Sequence, residues 1–189
     1  MNKKILVSII IPYHKKKFFF ASTIKSIKNQ ILKNYEVIVI YDDSDPNEID
    51  FVKEILKKIR NKKLIINKKI LGPGLSRNLG IKIAKGKYIS FCDADDIWNK
   101  NKLSQQIKYM INNNLKFSHT SYNIIDLNGK NIGHFNINNK LYYEDLIKSC
   151  DIGLSTVILE KKFLRNFKFC SLKTKEDYYL WLKIVKKIK

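Results

Sequence analysis

Apolar runs alternate with helically spaced stripes through the first half of the chain. Residues 5–11 are almost continuously β-branched and apolar, as in a central parallel strand covered on both faces, and Pro12 ends the run. Within residues 21–32, Ile24, Ile27 and Ile31 recur at helical spacing. A second buried run, residues 36–41, stops at Asp42, Asp43 and Asp45. Pro46 and Asn47 then open a helix whose apolar face is Phe51, Val52, Ile55, Leu56 and Ile59, and Leu64-Ile65-Ile66 makes a short third strand. Residues 72–80 form a glycine-rich turn feeding a helix that ends near Lys85. Another apolar run from Tyr88 ends abruptly in Asp93, Asp95 and Asp96. This alternation predicts an α/β fold with a largely parallel sheet and right-handed crossovers.

The second half has a different character. Residues 99–113 read as an amphipathic helix with Leu103, Ile107, Met110 and Ile111 inward. Residues 117–125 and 132–137 flank Asn128-Gly129, a type I′ hairpin signal, which predicts antiparallel strands added to the sheet. Residues 142–150 suggest a short helix and residues 154–159 another strand. In the last helix Thr174 could cap, Glu176 and Asp177 suit the first turn, and Trp181, Ile184, Val185 and Ile188 form the buried stripe. No repeat or linker interrupts the 189 residues, a length suited to one domain.

Composition narrows the functional classes. Hydrophobic content of 44% excludes a disordered chain. Thirty-seven basic against 17 acidic residues leave a net +20, a field favouring anionic partners. The lysines are spread along the whole chain, so a lysine-, isoleucine- and asparagine-rich compositional habit accounts for them as well as nucleic acid or an anionic membrane surface does. Scarce arginine argues against specific base readout, hence no specific nucleic acid. Cys92, Cys150 and Cys170, like His14, His119 and His134, lack metal-ligand spacing, which argues against zinc and for a reducing, cytoplasmic setting. The basic start followed by residues 5–11 looks superficially like a signal peptide, but Ser8 interrupts it, Pro12 stops it and no cleavage site follows. No run approaches the length of a membrane span.

The acidic strand ends are the candidate chemistry. Such positions lie where α/β sheets bind ligands, and carboxylates at i and i+2 can converge on a hard cation that bridges to substrate phosphates. An Asp-x-Asp alone is a weak signal. The glycine-rich turn is no dinucleotide fingerprint, because Arg77 stands where the third glycine is required. Arg77 could meet an anion at the helix start or be an ordinary surface ion pair. Glu176 and Asp177 likewise read as helix-start chemistry.

Five stretches in order change that weighting: Val7-Ser8-Ile9-Ile10-Ile11-Pro12-Tyr13, Glu36 through Ser44, Ser76-Arg77-Asn78-Leu79-Gly80-Ile81, Gly86 through Asp96, and Lys175-Glu176-Asp177-Tyr178-Tyr179-Leu180-Trp181. Together they resemble glycosyltransferase family 2, inverting nucleotide-sugar enzymes of the GT-A fold, a mixed sheet flanked by helices. The resemblance implies a nucleotide-sugar donor, a UDP-sugar, a saccharide or lipid-linked acceptor, and Mg²⁺ or Mn²⁺. It places Pro12 and Tyr13 at the nucleotide pocket and Asp42 at the donor base. Tyr41 replaces the family's first acid there, and Asp43 stands where glycine is common. It gives Arg77 to the donor site, Asp95 to the metal directly, Asp93 to the ribose or the metal, and Asp177 to the general base. It further implies envelope polysaccharide synthesis and a chain lacking the family's usual carboxyl-terminal acceptor-side segment, while the positive charge, with lysines such as Lys183, Lys186 and Lys187, predicts weak peripheral contact with the anionic inner face of the membrane. The competing readings are a basic, non-catalytic protein of this fold that binds RNA or anionic lipid, and a nucleotidyltransferase. The latter should carry a glycine-rich phosphate loop, which Pro12-Tyr13-His14-Lys15 is not.

Overall fold

The computed structural model describes residues 4–138 and 140–188; residues 1–3 of the signal-like stretch, and residue 189 of the expected domain, lie outside them. The elements in the first half are β1 (Val7–Tyr13), α1 (Lys17–Lys28), β2 (Tyr35–Tyr41), α2 (Pro46–Leu56), β3 (Lys62–Ile66), α3 (Pro73–Ile83), β4 (Tyr88–Phe91) and α4 (Lys102–Asn112). The second half contributes β5 (Phe117–Ser118), β6 (Tyr122–Ile125), β7 (Asn131–Phe135), α5 (Tyr143–Leu146), β8 (Ile158–Glu160), α6 (Lys161–Leu164) and α7 (Glu176–Val185). A six-stranded sheet runs β3-β2-β1-β4-β8-β5, parallel from β3 to β4 and antiparallel at β8 and β5.

Strand pleating divides the core into two layers. Val7, Ile9, Ile11 and Tyr13 of β1 face α1, α2 and α4 through Phe20, Ile24, Val52, Leu103 and Ile107. Ile10, Ile38, Ile40, Ile89 and Phe91 face the other way, against Leu180, Trp181 and Ile184 of α7. With both faces covered, β1 and β2 read as continuous apolar runs, and each fully buried isoleucine contributes about 1.5–3 kcal/mol. Two glycines let α3 approach closely: a Cβ on Gly80 would fall 2.5 Å from Ile10 Cγ2, and one on Gly74 2.6 Å from the Cys170 carbonyl oxygen.

Several expectations are corrected. The helix expected over residues 21–32 starts and ends earlier, so Ile31 lies beyond it and is exposed. Ile111 is also exposed, because Leu103, Gln106, Ile107 and Met110 form the inner face of α4. The span 117–125 is two strands, β5 and β6, separated by His119-Thr120-Ser121. Only β5 joins the main sheet, while β6 and β7 form a sheet of their own. Their turn is not type I′. Gly129 has φ +81° but Asn128 is not left-handed, and Gly129 N–H donates to the Asp126 carbonyl, closing an ordinary turn followed by a left-handed glycine.

Within residues 154–159, Leu154–Thr156 is a 3₁₀ turn, because the Thr156 hydroxyl and N–H both bond the Gly153 carbonyl. The helix expected at residues 142–150 shortens to α5. Thr174 does not cap α7; the residue before the helix is Lys175, left-handed at φ 60°. Ile188 lies past its end and is exposed. Among the described residues no helix is long and apolar enough to cross a membrane.

Candidate active site

Because β1, β2 and β4 are parallel, Tyr13, Tyr41 and Phe91 end at one edge of the sheet. Three loops gather there. The Asp42 N–H donates to the Tyr13 carbonyl (2.8 Å) and the Cys92 N–H to the Ile10 carbonyl (3.1 Å), so both acidic turns begin as continuations of the ladder.

In the turn after β2, Asp42 is buried and accepts from Asn67 Nδ2 (2.7 Å) and from the backbone N–H of Leu71 (2.8 Å) and Gly72 (2.7 Å). Three of roughly four acceptor positions on the carboxylate are thus taken. Asp43, in the place where glycine is common, needs no left-handed backbone. Its carboxylate accepts instead from the N–H of Lys15 (2.7 Å), Ser44 (2.7 Å) and Asp45 (3.2 Å). Burial pushes the Asp43 carboxyl up, but those three N–H groups and nearby His14 outweigh it and hold it below the usual carboxylate value. Pro12 is half-buried. Tyr13, expected at the pocket, is fully buried: it stacks on Tyr41 (5.4 Å), packs edge-on to Phe20 and donates its hydroxyl to Glu48 (2.6 Å). It supports the loop from beneath and presents no ring surface.

The turn after β4 closes with the Asp96 N–H on the Asp93 carbonyl (3.1 Å). Asp93 pairs with Arg77 Nη2 (2.8 Å), and Asp95 pairs with Lys16 Nζ (2.6 Å). The Ser155 hydroxyl, in the 3₁₀ turn, accepts from the Asp93 N–H (2.9 Å). Desolvation, with the charges of Asp93 and Asp95 added, pushes the Asp96 carboxyl up to about 6 against the hydrogen bond of Ser155. The residue as a whole remains exposed, so the crowding acts on its carboxyl. Behind the turn, Lys102 lies over the Trp98 ring (4.3 Å), and burial pushes its ammonium down to about 7.

Arg77 joins this turn to the last helix. It is no surface ion pair: its side chain is 5% exposed, and its second nitrogen, Nη1, donates to the buried Glu176 carboxylate (2.5 Å). The reason is local to α3, where Gly74, Arg77 and Asn78 share a face. Gly74 makes room for the segment carrying Glu176, and Asn78 exchanges two hydrogen bonds with the backbone of Phe169 (2.9 and 3.1 Å). Asp177 follows Glu176 at the half-exposed start of α7. Burial raises its pKa, with Glu176 adding to the rise, against the Tyr178 N–H and Arg77.

The structure therefore gathers Asp42, Arg77, Asp93, Asp95 and Asp177 around one sheet edge, adds two residues the sequence did not single out, Lys16 and Ser155, and makes Glu176, read from the sequence as helix-start chemistry, a buried partner of Arg77. Ser155 and Lys16 had no signal, one sitting in an apparent strand and the other in a run of lysines. Among the described residues no group of three or more His, Cys, Asp or Glu converges as a metal cage. Magnesium-like cations need only one or two carboxylates when substrate phosphates complete the shell. Asp95, 35% exposed and already facing a cation, meets that demand. A separate hollow of about 340 Å³ lies between α1 and α2 beside Lys25, Lys28 and Lys58; it holds no carboxylate, so it lacks both a cation site and a base.

The sequence profile described as Glycosyl transferase family 2 matches residues 8–169. Two similar proteins, both from Escherichia coli, are named UDP-Glc:alpha-D-GlcNAc-diphosphoundecaprenol beta-1,3-glucosyltransferases. WfgD is 40% identical over 96% of this chain and 70% of its own length, and WfaP is 37% identical over 96% and 71%. Among solved structures, S. aureus TarS 1–349 superposes with a TM-score of 0.79 at 21% identity, covering 95% of this chain and 55% of that one. The chain thus spans about half the length of that structure, whose likeness shows a shared GT-A fold.

Proposed function

This chain belongs to glycosyl transferase family 2, and on that premise we propose that it transfers a sugar from a UDP-sugar, with inversion, to the hydroxyl of a lipid-linked saccharide in envelope polysaccharide synthesis. The observation carrying this reading is Arg77, whose two terminal nitrogens tie the acidic turn after β4 to the Glu176-Asp177 start of α7. Through that joint, groups far apart in sequence form one site. The names of the two E. coli proteins support UDP-glucose as donor and a diphosphoundecaprenol-linked acceptor.

In this reading the base of the nucleotide lies against Pro12 and the remaining acceptor position of Asp42. The diphosphate lies toward Asp93 and Asp95. A Mg²⁺ or Mn²⁺ held by Asp95, with Asp93 beside it, would supply Lewis-acid neutralisation of the departing diphosphate. Asp177 takes the proton of the acceptor hydroxyl as that oxygen attacks the anomeric carbon and the bond to the diphosphate oxygen breaks on the opposite face. Burial raises the Asp177 pKa and so makes its carboxylate a stronger base, which suits that task. The half-exposed Tyr178 and exposed Lys183 lie on the same helix, and exposed Lys186 and Lys187 follow its end, where an anionic membrane bearing the acceptor would meet positive charge.

The test is Asp177→Asn, assayed for sugar transfer and for hydrolysis of UDP-glucose. Turnover should fall roughly 10²–10⁴-fold while UDP affinity and thermal stability stay at wild-type levels. An Asp177→Asn protein that keeps wild-type turnover would remove Asp177 as the base, and Glu176 could not replace it while paired with Arg77.

A further inference from the structure

Lys16 stands where nothing in the expected chemistry calls for a cation. It follows Lys15, which is left-handed (φ 51°) and pinned through its N–H to Asp43, and it precedes the first turn of α1 without a side-chain cap. From this position its ammonium reaches across 79 residues of sequence to Asp95 Oδ2, at 2.6 Å.

The reach is built by the fold. Thr23 and Ser26 of α1, with Gln30 just past its end, form a buried polar seam against the acidic turn and the segment after it: the Thr23 hydroxyl donates to the Ala94 carbonyl (3.0 Å), the Ser26 hydroxyl accepts from the Trp98 N–H (3.1 Å), and Gln30 Nε2 donates to the Asn99 carbonyl (2.8 Å). Lys16 lies at the amino-terminal end of that seam. The two elements are held in register, so the pairing of Lys16 with Asp95 is set by backbone placement, with the flexible stem needed only for the last step.

Asp95 has no other side-chain partner among the described hydrogen bonds and ion pairs. Both side chains are partly open to solvent, 41% for Lys16 and 35% for Asp95, so the ammonium can leave without stranding a buried charge. A dianionic diphosphate arriving with a divalent cation presents both a replacement for Lys16 at Asp95 and a new anionic partner for the freed ammonium.

We propose that Lys16 is an internal counter-ion that competes with the divalent cation for Asp95 and, once displaced, binds the donor's diphosphate. This rests on the reading that Asp95 holds the cation. Lys16 is then a donor-binding residue that lowers the dependence of donor binding on metal, because it supplies part of the positive charge itself.

Calorimetric titration of UDP, with Mn²⁺ and with EDTA, tests the proposal through the ratio of the two affinities. In Lys16→Met the ratio should rise about three- to fivefold: with EDTA the affinity falls because Asp95 is left uncompensated beside the diphosphate, whereas with Mn²⁺ the lost contact to the diphosphate is offset by the lost competition at Asp95. Lys16→Arg should restore a ratio near that of the wild type. A ratio unchanged in Lys16→Met overturns the proposal while leaving the cation at Asp95. In Asp95→Asn the ratio should collapse toward one; if that variant keeps the wild-type ratio, the cation site itself is misassigned and the proposal falls with it.

Discussion

The acidic turn after β2 holds its charge with backbone dipoles, and the acidic turn after β4 holds its charge with side-chain cations. Asp42 and Asp43 accept from five backbone N–H groups and one side-chain amide. Asp93 and Asp95 face Arg77 and Lys16. Backbone donors cannot leave without unfolding the loops that carry them, so the first turn is bound into the fold. The partly exposed Lys16 can exchange one anion for another, so at Asp95 the second turn can change partners. The same residue type, at the same end of the same sheet, is therefore suited to shaping the site in one place and to handling charge in the other.

Four substitutions or conditions would break or sharpen that contrast. The largest effect is expected at Arg77, the one buried cation of the second turn. Arg77→Met leaves Glu176 buried and unpaired and should cost about 3–5 kcal/mol in urea unfolding. Adding Glu176→Gln should recover more than half of it. A cost near zero for the single variant would mean that packing alone joins α3 to α7. Next comes Asp42→Ala, which orphans the N–H groups of Leu71 and Gly72 and should cost about 2 kcal/mol; a neutral result would show that the loop before α3 is held by other contacts, and the contrast between the turns would fail.

Asp95→Asn belongs to the other class. Its partly exposed pair with Lys16 contributes only about 0–1 kcal/mol, so the midpoint of unfolding should hardly move while Mn²⁺-dependent UDP binding is lost. A large stability loss would make Asp95 a structural residue like Asp42.

The smallest effect is in pH, where the two turns should have opposite signs. Asp43 titrates below its unfolded value of 3.8, so its contribution is present above 3.8 and is lost as pH falls through its lower folded pKa. Asp96 titrates near 6, so the folded form binds the extra proton first, and stability rises slightly as pH falls from 7 toward 4. Melting temperatures at pH 5 and 7 should show this small rise in the wild type and a smaller one in Asp96→Asn, where only Asp177, also raised by burial, still contributes with that sign. Equal slopes would remove Asp96 as its source.

The legible part of the molecule was its first half. The runs in β1 and β2 are seven residues long and that in β4 four, all buried on both faces and bounded by Pro12, acids or glycine, so the strands and their ligand-bearing end followed from continuous apolar runs and the acids that stop them. The second half was read less well because its elements are short and side chains override pattern there. Thr156 folds its hydroxyl onto its own turn, β5 leaves the ladder after only two residues, and Gly129 takes up the left-handed bend that Asn128 was expected to share.

By itself the sequence determined which chemistry is present: carboxylates at the ends of two strands, a Glu-Asp pair at a helix start, and an arginine on a glycine-bearing helix, in the order that marks the family. Those are local properties, set by residue type and spacing within a few positions. Only the tertiary structure decided which carboxylate meets which donor. Whether Arg77 is a surface charge or a buried joint depends on the approach of residues 169–176 to α3, and whether Asp95 faces water or Lys16 depends on the polar seam of α1. Both pairings span dozens of residues, and electrostatic partnership depends on distance and burial, quantities that exist only once the chain has packed.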